Sequence, residues 1–359
     1  MVENKSILNK IFKSKTPFLI DEIIIDSVNE CRSIQPFIKN KIYSKEEIQL
    51  ESFEKQNFKD KDGFYVYQRI KSVKVGFEFF WNGYLDLNER PLIFHLLSLI
   101  PYAVYETDIN LSEIIYHSYF NGNRFLKYLP HKKYIFFSGE KYPFPCEKYN
   151  LSLSFKSDSE NNICYPFFFS VLHSYQPRYD NIFLNSHSKH IPQDFCAFIV
   201  SNPSCSIRNK FFQYLSTNYK NVKSYGKYMN NVGYVLDFPY NDERQIELLK
   251  KHKFVICFEN TKLDEYYITE KILIAKSAGT IPIYWGSNKC LELFNHNSFL
   301  YLEDETEESL KKILNKIILL DNNPELYLKV RNEPLIKEEI KPIFDKKNLE
   351  SKIHKILFK

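Results

Sequence analysis

The sequence predicts an α/β protein whose sheets are parallel. Three observations carry this. Residues 253–287 (KFVICFENTKLDEYYITEKILIAKSAGTIPIYWGS) read as a buried strand, a polar loop, a helix and a second strand. Such a unit lays its two strands side by side in the same direction. Short apolar runs rich in β-formers also recur between residues 73 and 155, with helical segments among them, and a second series of the same kind begins at residue 195. Strands that alternate with helices, instead of clustering, are the pattern of a Rossmann-like sheet.

Taken in order, residues 1–72 are rich in Lys, Glu, Ser and Asn, with a mixed helical pattern at 20–28 and 46–53. They contain no motif, and no function is assigned to them. Residues 73–80 read as a strand followed by a Trp81-Asn82-Gly83 turn. Further strands are expected at 102–107, 113–116, 134–137 and 151–155, the fourth strand of the series ending in Ser138-Gly139-Glu140. Residues 167–194, aromatic and His-rich, read as a connector between two domains. A strand at 195–200 runs into Ser201-Asn202-Pro203, and a helix follows at 208–219. In the 253–287 unit the first strand is 254–258 and residues 261–267 are loop. Thr269 suits an N-cap for a helix running to Ala278, with Gly279 as its C′ residue. A strand at 280–285 closes the unit, and residues 307–359 are helical in pattern with breaks at Pro324 and Pro334.

Bulk properties bound the function. A chain of 359 residues implies about two domains. Hydrophobic residues make up 44%, with 31 Phe and 26 Tyr, which excludes a disordered chain. Most of those aromatics belong to core and boundary. The net charge of +5 comes from Lys scattered among Asp and Glu, so it favours anionic ligands but excludes a nucleic-acid stripe. No apolar run is long enough to span a bilayer, and the first twenty residues lack the apolar stretch of a signal peptide. Their basic start, with Ile7, Leu8, Ile11 and Phe12, reads as a surface helix, with peripheral contact to a membrane as the alternative. The seven Cys are odd in number and contain no CxxC pair, which predicts reduced thiols and a cytoplasmic location. The nine His form no triad and no metal-ligand spacing, and no D-x-D pair occurs in a suitable loop, so no essential metal or other cofactor is expected.

The chemistry concentrates where the first strand of the 253–287 unit ends. Open α/β sheets bind ligands at the carboxyl ends of their strands. The residues placed there are Glu259, Asn260, Tyr267, Glu270 and Lys271. A helix N-terminus beside a Lys suits a phosphate-bearing ligand, and carboxylates suit the hydroxyls of a sugar. The plain alternative is a crossover helix with a solvated first turn. The whole string favours the ligand. Phe258-Glu259-Asn260, then Tyr267-Ile268-Thr269-Glu270-Lys271, then Gly279-Thr280-Ile281-Pro282-Ile283 resemble the signature of the α1,3-fucosyltransferases of glycosyltransferase family 10: F-E-N, a short loop, Y-x-T-E-K, an apolar helix and G-x-x-P-[IV]. The resemblance covers roughly residues 73–335 and is dense from 195 to 300. It implies the GT-B architecture, two Rossmann-like domains facing a central cleft. Animal members carry a membrane anchor and a Golgi stem; the sequence departs from that and resembles a soluble bacterial- or viral-type member.

The resemblance also implies roles. Ser201-Asn202-Pro203 with Arg208-Asn209 resembles the family's S-N-P…R-N-x-F element. A guanidinium near a helix start grips a diphosphate bidentately, so Arg208 and Lys271 would hold the leaving group of a GDP-fucose donor. Two cations there stabilise charge as it develops and could replace a metal ion. Gly139-Glu140 matches the family's G-E element, which makes Glu140 the catalytic base, with Glu78 as the next choice. Glu270 would hold fucose hydroxyls or stabilise the oxocarbenium-like transition state, and Asn260, Tyr267 and Glu259 would shape the donor contacts. Trp81 and Asn82 are the acceptor-site expectation. Asn230 and Asn231 resemble a G-G-x-x-x-N segment in which Ser224 or Tyr225 replaces the first Gly.

The expected organisation is an extension at 1–72, an acceptor domain with connector at 73–190, a donor domain at 191–325 and a helical tail at 326–359. The expected activity is inverting transfer of L-fucose from GDP-β-L-fucose to a GlcNAc-containing glycan with an α1,3 linkage. Two alternatives stay open: a GT-B enzyme using another sugar nucleotide, and a non-catalytic glycan- or nucleotide-binding module.

Overall fold

The computed structural model describes residues 22–25, 53–59, 65–69, 72–81, 90–100, 103–106, 109–120, 129–141, 148–175, 177–238 and 242–358. Strands β1 (Glu22–Ile25), β2 (Phe53–Lys59) and β3 (Tyr65–Arg69) form an antiparallel sheet in the order β1-β3-β2. This corrects the helical reading of 20–28. Ile23, Ile24 and Ile25 are β-branched and stiff at χ1, which favours a strand once a partner is present. That partner, β3, lies some forty residues away and is invisible to local periodicity. The pattern at 46–52 lies outside the described residues.

Two parallel sheets follow. The first contains β4 (Ser72–Glu78), β5 (Ala103–Glu106), β6 (Ile114–His117), β7 (Lys133–Phe137), β8 (Leu151–Ser154) and β9 (Asn162–Cys164), in the order β5-β4-β6-β7-β8-β9. Helix α1 (Arg90–Ser98) crosses over from β4 to β5. Each strand expected in this half is present within a few residues of its expected ends; β9 is additional.

Residues 167–194 are more than a connector. They contain helix α2 (Phe167–Ser174) and a 3₁₀ turn (Asp180–Phe183). Phe168, Phe169, Val171 and Leu172 are buried. Asn181 donates its side-chain amide to Ser277 O at 2.7 Å, tying the turn to the second half.

The second sheet runs β11-β10-β12-β13-β14. Strand β10 (Asp194–Phe198) leads into α3 (Ser206–Asn218), then β11 (Lys223–Ser224), α4 (Glu243–Leu249) and β12 (His252–Phe258). Helix α5 (Lys271–Ser277) connects β12 to β13 (Ile281–Trp285), which pairs in parallel from Phe254↔Ile281 to Phe258↔Trp285, as the sequence predicts. Phe254 to Phe258 and all five residues of β13 are buried, the signature of a parallel sheet covered on both faces. The short α6 (Cys290–Leu293) and β14 (Leu300–Tyr301) complete the layer. Gly279 is in the left-handed region (φ 71°). Gly279 N donates to Lys276 O and Thr280 N to Ala275 O, the paired bonds of a Schellman motif that ends α5.

The tail holds three helices: α7 (Glu307–Asn322), α8 (Pro324–Asn332) and α9 (Lys346–Leu357). Pro324 is the first residue of α8, capped by the Asn323 side chain. Helix α7 buries Leu310, Ile313, Leu314, Ile317 and Leu320, a single helical face, against the outer side of the second sheet. Helix α9 returns to the first sheet. Lys133 donates its ammonium to Leu357 O, and Leu349, Ile353 and Leu357 are buried there. One continuous core joins the halves, from Val75, Ile93 and Leu96 through Phe168 and Leu172 to Ile272 and Ala275.

Candidate functional site

The carboxyl end of β12 is built around one buried carboxylate. Glu259 is completely buried. Its Oε1 accepts from Thr269 N at 2.7 Å and from the Tyr284 hydroxyl at 3.3 Å. Its Oε2 accepts from Thr269 Oγ1 at 2.8 Å and from Lys271 Nζ at 3.1 Å. A buried carboxylate needs this set of donors, because an unpaired one costs several kcal/mol. Two expectations are corrected by this geometry. Thr269 does not cap α5: the N-cap position falls on Glu270, and the Thr269 hydroxyl turns to Glu259 instead. Glu259 presents no exposed oxygen to a ligand; it fixes the loop that carries Lys271.

Lys271 is held by Glu259 and by Thr269 Oγ1 at 2.8 Å. Burial works against its charge, but Glu259 and Glu270 outweigh that and hold its pKa above the usual value. Beside it, burial raises the Glu270 carboxyl, with Lys271 opposing and the carboxylates of Glu259 and Glu140 adding to the rise. Both line a cavity of about 290 Å³ at the carboxyl ends of β10 and β12. Arg208 lines it too. It lies on the buried face of α3 with Ile207, Phe211 and Leu215. Its Nη1 donates to Asn260 Oδ1 at 2.8 Å and its Nη2 to Asn202 O at 2.7 Å, while Nε has no partner among the described residues. Asn260 thus orients Arg208. Burial pushes the guanidinium pKa down from its usual value.

The first sheet meets this segment through Tyr267, outside the lining of that cavity. Glu140 follows β7 and is exposed. Ser138 Oγ accepts from Glu140 N at 3.2 Å, and Gly139 lies so close to the Phe167 ring that a Cβ there would collide with it. Tyr267 reaches across the halves and donates its hydroxyl to Glu140 Oε2 at 3.3 Å. Tyr267 is buried, and burial together with Glu259 and Glu140 raises its phenol pKa far above the usual value, so it stays a donor. Two backbone bonds reinforce the crossing, Phe168 N to Ile268 O at 3.3 Å and Tyr266 N to Phe155 O at 2.8 Å. Glu78 is paired with buried His117 at 2.8 Å. Trp81 is half-buried against Phe80 and Phe120, each with its ring centroid 5.5 Å away, beyond a left-handed turn at Phe79 (φ 60°). Asn82 lies outside the described residues.

Asn230 and Asn231 pin their own loop. Asn230 Nδ2 donates to Gly226 O and Tyr234 O, and Asn231 Oδ1 accepts from Ser224 N at 2.8 Å. Sequence reasoning assigned nothing to Lys227, Phe238 and Gln245, which also line the cavity. They belong to no local motif, and only the fold brings them together. A larger cavity, about 700 Å³, lies beside α2 and α9 and is lined by Cys164, Phe169, His173 and Phe344. None of the expected site residues lines it, and its lining offers no cluster of cations, so the smaller cavity is the better match to a diphosphate. Among the described residues no three His, Cys, Asp or Glu side chains gather as a metal site, and no helix is long and apolar enough to cross a membrane. The five described cysteines, Cys164, Cys196, Cys205, Cys257 and Cys290, are free thiols.

Residues 190–332, which contain the second sheet and its cavity, match the family described as glycosyltransferase family 10 (fucosyltransferase), C-terminal part. The α-(1,3)-fucosyltransferase FucT of Helicobacter pylori is 36% identical over 134 residues, covering 37% of this chain and 26% of that protein. A protein of Acanthamoeba polyphaga mimivirus named as a fucosyltransferase is 30% identical over 211 residues, covering 56% of this chain and 33% of its own length. The chain therefore spans about a quarter to a third of these curated relatives. An α1,3-fucosyltransferase solved with GDP-fucose superposes with a TM-score of 0.62 over 86% of this chain and 95% of its own, at 20% identity. The two parallel sheets are thus a GT-B fold. In sequence over residues 190–332, and in fold over most of its length, the chain resembles the fucosyltransferases of glycosyltransferase family 10.

Proposed function

We propose that the protein is an inverting fucosyltransferase that takes L-fucose from GDP-β-L-fucose and forms an α1,3 linkage on a GlcNAc-containing glycan. The observation that carries this reading is the hydrogen bond from Tyr267 to Glu140. It brings an exposed carboxylate of one half to the segment that holds Glu270 and Lys271 in the other. An acceptor hydroxyl beside Glu140 would then face the donor carbon.

In the reaction, the acceptor oxygen attacks C1 of fucose from the face opposite the diphosphate, and the C1–O bond to GDP breaks. Glu140 takes the hydroxyl proton as the new bond forms. Arg208 and Lys271 meet the negative charge growing on the departing GDP, and their charge is pre-positioned by Asn260 and Glu259, so little reorganisation is needed. Glu270 faces the sugar and opposes the positive charge that spreads over C1 and the ring oxygen. Trp81 would offer an aromatic face to the acceptor. This cationic clamp supplies the charge stabilisation that a metal ion supplies elsewhere, so no metal has a part in the scheme.

The test is a donor panel of GDP-fucose, GDP-mannose, UDP-galactose and UDP-glucose with N-acetyllactosamine, run with and without EDTA. Transfer from GDP-fucose alone, undiminished by EDTA, is the expected result. Preference for a UDP-sugar would replace the fucosyl reading with another glycosyl transfer, and loss of rate in EDTA restored by Mn²⁺ would overturn the cationic clamp.

A further inference from the structure

The larger cavity, of about 700 Å³, lies outside the chemistry described so far. Its volume is in the range of small-molecule sites, roughly 300–1,000 Å³. Strand β9 supplies Ile163 to its lining, α2 supplies Phe169, α6 supplies Leu293, and the tail supplies Phe344 and Leu349. All of these side chains are buried, so the deeper part of the lining is apolar. The formal charges on the lining are engaged. Lys352 pairs with Asp158 at 2.7 Å, and Asp345 caps α9 by accepting from Lys347 N at 2.9 Å. Three half-buried polar groups remain. The Tyr266 hydroxyl donates to Glu292 Oε2 at 2.6 Å. Burial pushes the Cys164 thiol up to about 12, so it stays neutral. His173 stacks on His95 with ring centroids 5.2 Å apart, and among the described residues neither of its ring nitrogens has a hydrogen-bond partner. Burial lowers its pKa to about 4, so at neutral pH it offers one donor and one acceptor.

We infer that this cavity binds an uncharged aromatic ligand with a carbonyl or hydroxyl for His173, and that its occupancy acts on the segments that hold Glu140. A sugar is a poor fit, because each buried hydroxyl needs a partner and the buried side chains of the lining offer none. An ion is a poor fit, because the charges on the lining are already paired or capping a helix. Flat rings suit the edges and faces of Phe169, Phe344 and Tyr266. The link to Glu140 runs through sequence neighbours. Pro166 lines the cavity and precedes Phe167, whose ring packs against Gly139. Tyr266 lines it too and precedes Tyr267, which donates to Glu140 Oε2 at 3.3 Å. A ligand seated against Pro166 and Tyr266 therefore bears on the backbone that carries both contacts. Neither residue lines the cavity of Arg208 and Lys271, so GDP affinity is left alone.

The experiment titrates the full chain with prodan, an uncharged naphthalene ketone whose emission reports an apolar site. Saturable binding is expected. Anilinonaphthalene sulfonate carries a fixed negative charge and should bind roughly tenfold or more weakly, since burying an unpaired charge is costly. Ser351 is exposed on α9 and lines the cavity, so Ser351→Trp should fill it and abolish saturable binding while melting like the native protein. If that variant melts lower, Asn348→Trp, also exposed on α9, replaces it. His173→Phe keeps a ring and should weaken prodan roughly three- to tenfold, the range for one neutral hydrogen bond. It should leave naphthalene, which has no acceptor and is measured in competition with prodan, unchanged. Saturating prodan should change the rate of fucose transfer roughly fivefold or more in the native protein and not in Ser351→Trp, with calorimetric GDP affinity constant in both. Absence of saturable binding, equal binding of the sulfonate, binding retained in the filled variant, or a transfer rate indifferent to prodan would overturn the inference. A chain that binds prodan as expected but transfers no fucose would sink the donor reading, and the binding measurements would still decide the site.

Discussion

The two parallel sheets end their functional strands in opposite ways. At the end of β12, Glu259 is buried and satisfied by four donors, and it holds Lys271 in place. At the end of β7, Glu140 is exposed and meets one hydroxyl from the other half at 3.3 Å. One carboxylate fixes its surroundings and the other is left exposed. On the proposed function, the end of β12 presents fixed charge to a diphosphate, which residues locked in advance suit. On the same proposal Glu140 is the base, and its exposure suits a group that takes a proton from a changing partner.

Breaking the locked end should have the largest effect on stability. Glu259→Ala removes the common acceptor of Thr269 and Lys271 and leaves buried donors unpaired. A loss of roughly 3–5 kcal/mol is expected in urea denaturation, as for other half-broken buried pairs. A loss under about 1 kcal/mol would mean that the loop holds itself without the carboxylate.

The next effect is on nucleotide affinity. Arg208→Ala and Lys271→Ala should each weaken GDP by roughly 1.5–3 kcal/mol, the range for a charge-assisted contact. Unchanged calorimetric affinity in both variants would detach the cavity from the diphosphate. Tyr267→Phe cuts the contact between the halves but keeps the ring. Because that bond is long and neutral–anionic on an exposed carboxylate, turnover should fall by no more than about tenfold. A larger fall would make the hydroxyl part of the proton relay.

What the sequence revealed follows the same contrast. The locked end was legible because its chemistry and its folding use the same short string: Phe258 to Lys271 supplies the strand, the buried acceptor and the helix start. The two strands around α5, and Gly279 as its end, followed from apolar runs and one left-handed position. The roles inside the string were harder to see. Glu259 and Thr269 satisfy each other, so the first is hidden from solvent and the second is drawn away from capping. Lys227 and Gln245 could not be found locally, since β11, α4 and β12 bring them to one cavity through the fold. The strand β1 was misread because its partner β3 is distant in sequence. The burial of α2 was missed because an aromatic run without polar alternation does not reveal which elements will cover it.

The smallest effect sharpens the comparison from the first half. Burial lowers the pKa of His173 to about 4, with Lys346 adding and Asp345 opposing. It stacks on His95, whose pKa is lowered by burial and by His173. Both rings are neutral when folded and take up protons more readily when unfolded. Stability is therefore full above pH 6.5 and is lost as pH falls from 6.5 toward 4. The melting temperature should drop by a few degrees between pH 7 and about 5.5, and less in His173→Phe. An identical drop in that variant would exclude His173 as a source.

The most direct test of the division between a locked donor end and an open base uses Glu140→Gln in two measurements on one preparation. Calorimetry should give GDP affinity within about twofold of the native protein, because no donor contact is altered. Fucose transfer from GDP-fucose to N-acetyllactosamine should fall by roughly 10²–10⁴-fold, the usual range for losing a general base. A variant that transfers fucose at the native rate, or that loses GDP affinity along with turnover, would contradict the account.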